Sequence, residues 1–266
     1  MPKSIFITGG GSGIGRAMAR HFAARGWFVG LADIDGAGLA GTAALLPEGQ
    51  SSSHRLDVRD PAEWDRALAD FAGVAGRIHV VANNAGVAHG GPFADNTRAE
   101  IDHLVDVNFR GVAYGAQAAY PHLKASAPGS CLLNTASAAA LYGASGLAVY
   151  SATKFAVRAL TEALDGEWTE AGIRVRSIMP GFIDTPLLHG PAGAASNGSK
   201  RDAVVAAGLE FTPVEAVAQA AWDAVHGARL HTLVGKTARQ LAFAARWTPG
   251  ILRKRLPALM RPGKGE

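Results

Sequence analysis

The chain has 266 residues, 48 % of them hydrophobic, which is enough for one large α/β domain or two small ones around a sizeable core. A single cysteine, Cys131, excludes an intramolecular disulfide, and the absence of H-x-x-x-H or C-x-x-C spacing argues against a metal site. The net charge of +4 hides an asymmetry: residues 236–266 hold eight Lys/Arg and one acid, while the 235 residues before them hold 18 bases and 21 acids, so the body is not a nucleic-acid binder.

The first apolar run, S-I-F-I-T (4–8), predicts a strand and is too short for a secretory signal. No run of about 18 apolar residues could span a bilayer, so the expected location is cytoplasmic. T-G-G-G-S-G-I-G (8–15) follows that strand and opens the first helix. Its glycines, Gly9, Gly13 and Gly15, are spaced G-x-x-x-G-x-G. Such a loop keeps β-carbons away from the backbone amides, and the helix N-terminus behind it points partial positive charge outward. A pyrophosphate is the ligand this suits.

W-F-V-G-L-A (27–32) predicts the second strand, ending on Asp33, 20 residues after Gly13. A carboxylate there accepts from both ribose hydroxyls of a dinucleotide and repels a 2′-phosphate. No Lys or Arg precedes Arg16 in the loop or flanks Asp33, so NAD is expected over NADP. H-R-L-D-V (54–58), H-V-V-A-N (79–83), S-C-L-L-N-T (130–135), R-V-R-S-I-M (174–179) and H-T-L-V-G (231–235) predict five more strands. Helix starts are written at Asp60-Pro61-Ala62-Glu63, Thr97-Arg98-Ala99-Glu100 and Thr212-Pro213-Val214-Glu215, the last two with capping-box spacing. Val214, Val217, Ala218, Ala221, Trp222 and Val225 then form the apolar stripe of the last helix. Cys131 sits in an apolar run, as a buried inert thiol would.

Strands that are apolar throughout and alternate with helices predict an α/β fold. We expect a doubly wound parallel sheet of about seven strands with helices on both faces. A single domain over residues 1–248 is expected to hold cofactor and substrate sites together, followed by a basic tail over 249–266. In that tail Leu252, Leu256, Leu259 and Met260 fall on one helical face, although Pro257 would interrupt a long helix. A solvated, partly packed tail is the first expectation. Peripheral contact with an anionic membrane surface, capping of the substrate pocket and packing on a partner subunit are the alternatives.

V-Y-S-A-T-K (149–154) places Tyr150 and Lys154 four apart, on one helical face. Alone the pair reads as a surface helix, Ser137 as a strand-end cap and Asn108 as a core amide. Together with their neighbours they resemble the short-chain dehydrogenase/reductase family over roughly residues 3–236. The likeness is carried by the glycine loop, L-D-V (56–58), N-N-A-G (83–86), V-N-F-R-G (107–111), N-T-A-S (134–137), Y-S-A-T-K (150–154) and P-G-F-I-D-T (180–185), all in order.

The resemblance implies a Rossmann-type fold and an oxidoreductase moving a hydride between NAD(H) and a secondary alcohol or ketone. Asn108, Ser137, Tyr150 and Lys154 match the family's catalytic four. Gly9, Ser12, Gly13, Ile14 and Gly15 would line the pyrophosphate and ribose, Asp57 and Val58 the adenine, and Asn83 the cofactor at the end of the fourth strand. Pro180, Ile183 and Thr185 would hold the nicotinamide end, and Tyr150 and Lys154 would also meet the cofactor. Tyr150 would be the acid/base, its phenol lowered by the Lys154 ammonium and the nicotinamide charge. Ser137 would bond the substrate oxygen, and Asn108 would hold a water linking Lys154 to solvent.

The small residues Ser151, Ala152 and Thr153 would leave room for the nicotinamide ribose. An apolar wall of Val87, Phe93, Leu141, Tyr142, Phe182, Leu187 and Leu188 suggests a hydrophobic or aromatic substrate, with 191–200 as a lid. Family members usually pair, so a homodimer or homotetramer is expected. The other readings are a dinucleotide-sensing regulatory protein without catalysis, an NADP-dependent carbonyl reductase, and an isomerase or epimerase using bound NAD.

Overall fold

Side chains along a buried strand alternate between the two faces of a sheet, and here both faces are apolar. In β1 (Ser4–Thr8), Ile5 and Ile7 join one core cluster while Phe6 joins the other. β4 (Val80–Asn83) splits Val80 and Ala82 from Val81 in the same way, and β5 (Cys131–Thr135) splits Cys131 and Leu133 from Leu132. With β2 (Phe28–Asp33), β3 (Ser51–Arg55), β6 (Arg174–Pro180) and β7 (His231–Val234) these form a seven-stranded sheet in the order β3-β2-β1-β4-β5-β6-β7. Every pairing is parallel. The computed structural model describes residues 2–185 and 211–259.

One face is covered by α1 (Gly13–Ala23), α2 (Gly36–Ala43) and α7 (Val214–His226). The other carries α3 (Pro61–Ala75) and α5 (Gly111–Ala125). α4 (Arg98–Val105) leads into α5 through a π-helical turn, Asp106–Arg110, and α6 (Ala148–Glu167) packs beside it. Packing is tight at the centre of β2, where a β-carbon on Gly30 would stand 2.7 Å from both Phe6 and Phe71. The strand order reverses between β1 and β4, so the loops leaving those two strands diverge and open a crevice.

Several expectations need correcting. β3 is Ser51–Arg55, not residues 54–58: it is an edge strand, so serines suffice, and Leu56 and Val58 are buried in the segment beyond it. The capping box at Thr97 forms, but the one expected at Thr212 does not. There Thr212 pairs with Ile183 in an isolated bridge, and Pro213, extended at ψ 141°, becomes the N-cap. Of the stripe on α7, Val217, Ala218, Ala221 and Val225 are buried and Val214 and Trp222 pack partly against the core, yet two helices follow it: α8 (Lys236–Trp247) and α9 (Pro249–Leu259). The helical backbone of α9 continues through Pro257, although the ring can donate no hydrogen bond there. Leu187, Leu188 and the expected lid at 191–200 lie outside the described residues, as do Met260 and the side chains of Leu256 and Leu259.

Candidate active site

The glycine loop crosses the crevice between β1 and α1. Gly9 and Gly13 have φ of 68° and 49°, which other residues rarely adopt. A β-carbon on Gly15 would lie 2.0 Å from the Gly9 carbonyl oxygen, so the first helical turn can approach the loop only with glycine there. Ser12 is the N-cap of α1 but makes no side-chain cap bond, and no acid stands in the first turn. The helix therefore presents uncompensated backbone N–H groups toward the crevice.

The loop is braced from below. The Gly11 N–H donates to Asp33 Oδ2 at 3.0 Å, and the Gly11 carbonyl accepts from Arg16 Nη2 at 2.5 Å and Thr42 Oγ1 at 3.2 Å. Asp33 Oδ1 also accepts from the Asp35 N–H at 3.1 Å, so this carboxylate caps a turn and borders the crevice at once. The bracing of the loop by Arg16 and Thr42 was not foreseen; its available signal was a basic residue one turn into α1. At the next strand end Thr8 Oγ1 accepts from the N–H groups of Asn84 and Ala85, both at 3.0 Å, which ties the β4 loop to the glycine loop.

Asp57 is held by Arg59 Nη2 at 2.6 Å, and that guanidinium keeps its carboxyl below the usual range. Val58 is buried and its carbonyl accepts from Trp64 Nε1. Asn83 is only 2 % exposed, and its amide donates to the Val112 carbonyl and Asn134 Oδ1. Its side chain thus points beneath α5, leaving its backbone to border the crevice.

Asn108, Ser137, Tyr150 and Lys154 converge at the C-terminal ends of β4 and β5. Asn108 is fully buried in the π turn and grips Val87 from both sides: Oδ1 accepts from its N–H and Nδ2 donates to its carbonyl, each at 2.8 Å. Ser137 caps the 3-10 turn Ala138–Ala140 through the Ala139 N–H and lies beside the Tyr150 phenol. Lys154 is 4 % exposed; its Nζ donates to the Thr135 carbonyl at 2.9 Å and lies 5.7 Å from the Tyr150 ring centroid. A β-carbon on Gly86 would be 3.2 Å from Asn108 Oδ1 and 3.6 Å from Lys154 Nζ, so the glycine of N-N-A-G lets both groups come close.

The intervening small residues also brace the start of α6. Ser151 and Thr153 are buried: Ser151 Oγ accepts from the Ala144 N–H, and Thr153 Oγ1 donates to the Tyr150 carbonyl. The electrostatics of the chain alone run the other way. Burial raises the Tyr150 phenol above its ordinary value of 10, against a smaller lowering by the neighbouring Ser137 hydroxyl. Burial also lowers Lys154 to about 8, so the lysine stays mostly cationic at neutral pH but loses its charge soon above it. Cys131, also buried, is pushed up to about 12 and is no nucleophile.

Of the expected apolar wall, Phe182 and Tyr142 are half-buried and Phe93 is exposed, whereas Val87 and Leu141 pack partly into the core. Pro180 ends β6, Ile183 is buried in its bridge to Thr212, and Thr185 is buried with its hydroxyl on the Ile183 carbonyl. Among the described residues no group of three His, Cys, Asp or Glu side chains could hold a metal.

A family model described as short chain dehydrogenase matches residues 3–192. Over 188 residues the chain is 33 % identical to meso-2,3-butanediol dehydrogenase of Serratia marcescens, spanning 71 % of this chain and 74 % of that one. It is 38 % identical over 186 residues to 3-alpha-(or 20-beta)-hydroxysteroid dehydrogenase of Mycobacterium tuberculosis, spanning 70 % of each. A Burkholderia phymatum short chain dehydrogenase/reductase, solved in complex with NAD, superposes with a TM-score of 0.81 at 26 % identity, covering 100 % of this chain and 97 % of the other.

Proposed function

The chain belongs to the short-chain dehydrogenase family, and from that premise we propose that it moves a hydride between NAD(H) and a secondary alcohol or ketone, with Tyr150 as acid/base. The carrying observation is the juxtaposition of Lys154 Nζ, 5.7 Å from the Tyr150 ring centroid, with Ser137 beside the phenol, on the crevice that the glycine loop borders. The loop fits a dinucleotide: a β-carbon on Gly15 would close it, and the N-terminus of α1 is free of acids.

Gly9, Ser12, Gly13, Ile14 and Gly15 would hold the pyrophosphate, Asp33 the adenosine ribose, Asp57 and Val58 the adenine, the Asn83 backbone the span between, and Pro180, Ile183 and Thr185 the nicotinamide end. A nicotinamide dinucleotide bound there would accept the hydride on its positively charged oxidised ring in alcohol oxidation, or donate it from its neutral reduced ring in ketone reduction. NAD is favoured over NADP because Asp33 sets a carboxylate at the end of β2, where a 2′-phosphate would be repelled.

In alcohol oxidation Tyr150 takes the hydroxyl proton, and in ketone reduction it returns one to the oxygen. Ser137 donates to that oxygen and stabilises the charge that develops on it. Lys154 favours the phenolate and passes the proton onward. Asn108 has its amide committed to Val87, so its part is to fix that loop and the π turn, whose main-chain carbonyls are the group left to hold a water for Lys154. Phe93, Tyr142 and Phe182 favour a hydrophobic or aromatic substrate.

The test is to follow formation of reduced nicotinamide across secondary alcohols, steroids, diols and sugars with NAD and NADP in parallel. The reading expects NAD-linked turnover, fastest on apolar substrates. Turnover fastest on charged polar substrates would defeat the apolar pocket, and equal affinity for both cofactors would defeat the role given to Asp33.

A further inference from the structure

Helix α8 exposes an apolar ridge that nothing in the described chain covers. Phe243 and Trp247 are each 65 % exposed, and Ile251 in α9 is 49 % exposed. On α8 the spacing from Lys236 through Arg239, Phe243, Arg246 and Trp247 runs 3, 4, 3 and 1, which puts all five on one arc of the helix. The opposite arc holds Ala238, which is fully buried, and the half-buried Leu241 and Ala245. Arg246 lies over the Trp247 ring at 5.4 Å, so the aromatic and cationic groups are interleaved. Arg253 and Lys254, both exposed, follow in α9, and no acid occurs from Lys236 to Lys254.

We propose that the α8–α9 face docks this enzyme reversibly on an anionic lipid surface, with Phe243, Trp247 and Ile251 entering the headgroup boundary and the surrounding bases facing lipid phosphates. Charge decides among the occupants. A second copy would bring the same cations and no acid onto this face, so self-association meets like-charge repulsion. An anionic bilayer offers apolar depth and negative charge together, the two features such a helix requires. The ridge alone would be a bare apolar patch, and the bases alone a solvated helix; their interleaving on one exposed arc is what points to an interface.

The position also matters for the site. α8 packs on the 3-10 turn that follows Ser137, and a β-carbon on Gly181, next to Pro180, would lie 3.6 Å from Thr237 Cβ and 3.7 Å from the Ala238 nitrogen. Docking through α8 would therefore bring the candidate active site close to the lipid, a route suited to a sparingly soluble alcohol or ketone. That corollary rests on the proposed reaction; the docking itself does not.

The test uses the full chain, vesicles of phosphatidylcholine with about 30 % phosphatidylglycerol, and about 50 mM salt. Cosedimentation with these vesicles is expected, along with quenching of tryptophan emission by brominated lipid. Pure phosphatidylcholine vesicles should bind at least about tenfold more weakly, and high salt should release the protein. The exposed double variant Phe243→Ser/Trp247→Ser should lose at least about tenfold in binding, and Arg239→Gln/Arg246→Gln about as much, each base near such a surface being worth roughly a fivefold factor. Both variants should keep the wild-type melting temperature and molar mass in solution. The proposal is overturned if the wild-type chain ignores anionic vesicles at low salt. It is equally overturned if the aromatic variant binds like wild type, or if that variant alters the oligomeric mass while the wild type leaves vesicles alone, which would make the ridge a contact between copies.

Discussion

The two halves of the crevice are finished to different degrees. On the glycine-loop side the geometry is complete: Gly11 is bonded through both its N–H and its carbonyl, and Asp33 has a backbone donor on each oxygen. On the Tyr150 side the geometry is complete but the charges are not. Burial pushes the phenol up and the lysine down, so both are driven toward neutrality. The difference teaches that this chain fixes positions by itself, and that in the proposed reaction a charge from the bound dinucleotide would poise Tyr150 and Lys154. A cationic ring beside Tyr150 would oppose the cost of burying a phenolate, which ties activation to occupancy of the crevice.

That contrast can be broken by substitution, from the largest effect down. Tyr150→Phe should lower turnover by about 10³-fold while NADH affinity, read by fluorescence titration, stays within about threefold. Gly15→Ala, whose β-carbon would meet the Gly9 carbonyl at 2.0 Å, should force the loop open and weaken NADH by on the order of 100-fold. Asp33→Ser should cost NAD about tenfold and narrow the gap to NADP, which paired titrations would show.

Lys154→Met separates position from charge. The folded amine titrates at about 8 and the unfolded one at the ordinary 10.5. Below pH 8 both states are protonated and the burial cost is fully present. Between the two values the unfolded chain binds a proton that the folded chain does not, so stability rises with pH across that window. The methionine variant should therefore melt higher than wild type at pH 7, by on the order of 2 kcal/mol, and lose that advantage toward pH 10. A difference independent of pH would mean that the amine is not desolvated. Thr97→Ala belongs to neither half; it should cost about 1 kcal/mol through its capping box and leave turnover unchanged.

The parallel sheet was legible because its central strands are apolar on both faces, and the candidate site because its motifs follow one another at strand ends. Three things were not legible, each for a physical reason. β3 was misplaced because an edge strand needs no apolar run, while the apolar Leu56 and Val58 are buried beyond it. The π turn around Asn108 has no glycine or proline to announce it; it is fixed by the amide's grip on Val87, 21 residues away. The burial of Lys154 also escaped prediction, because a charged side chain reads as exposed until Thr135 and Gly86 are seen around it.

The central claim is that the bound dinucleotide, and not the chain alone, turns Tyr150 into a base. It is tested most directly by ultraviolet difference titration of the phenolate in free and NAD-saturated protein, with the Tyr150→Phe curve subtracted. The account predicts that the Tyr150 component titrates above 10 in the free chain and moves clearly below it when NAD is bound. A Tyr150 titration unchanged by NAD would contradict it.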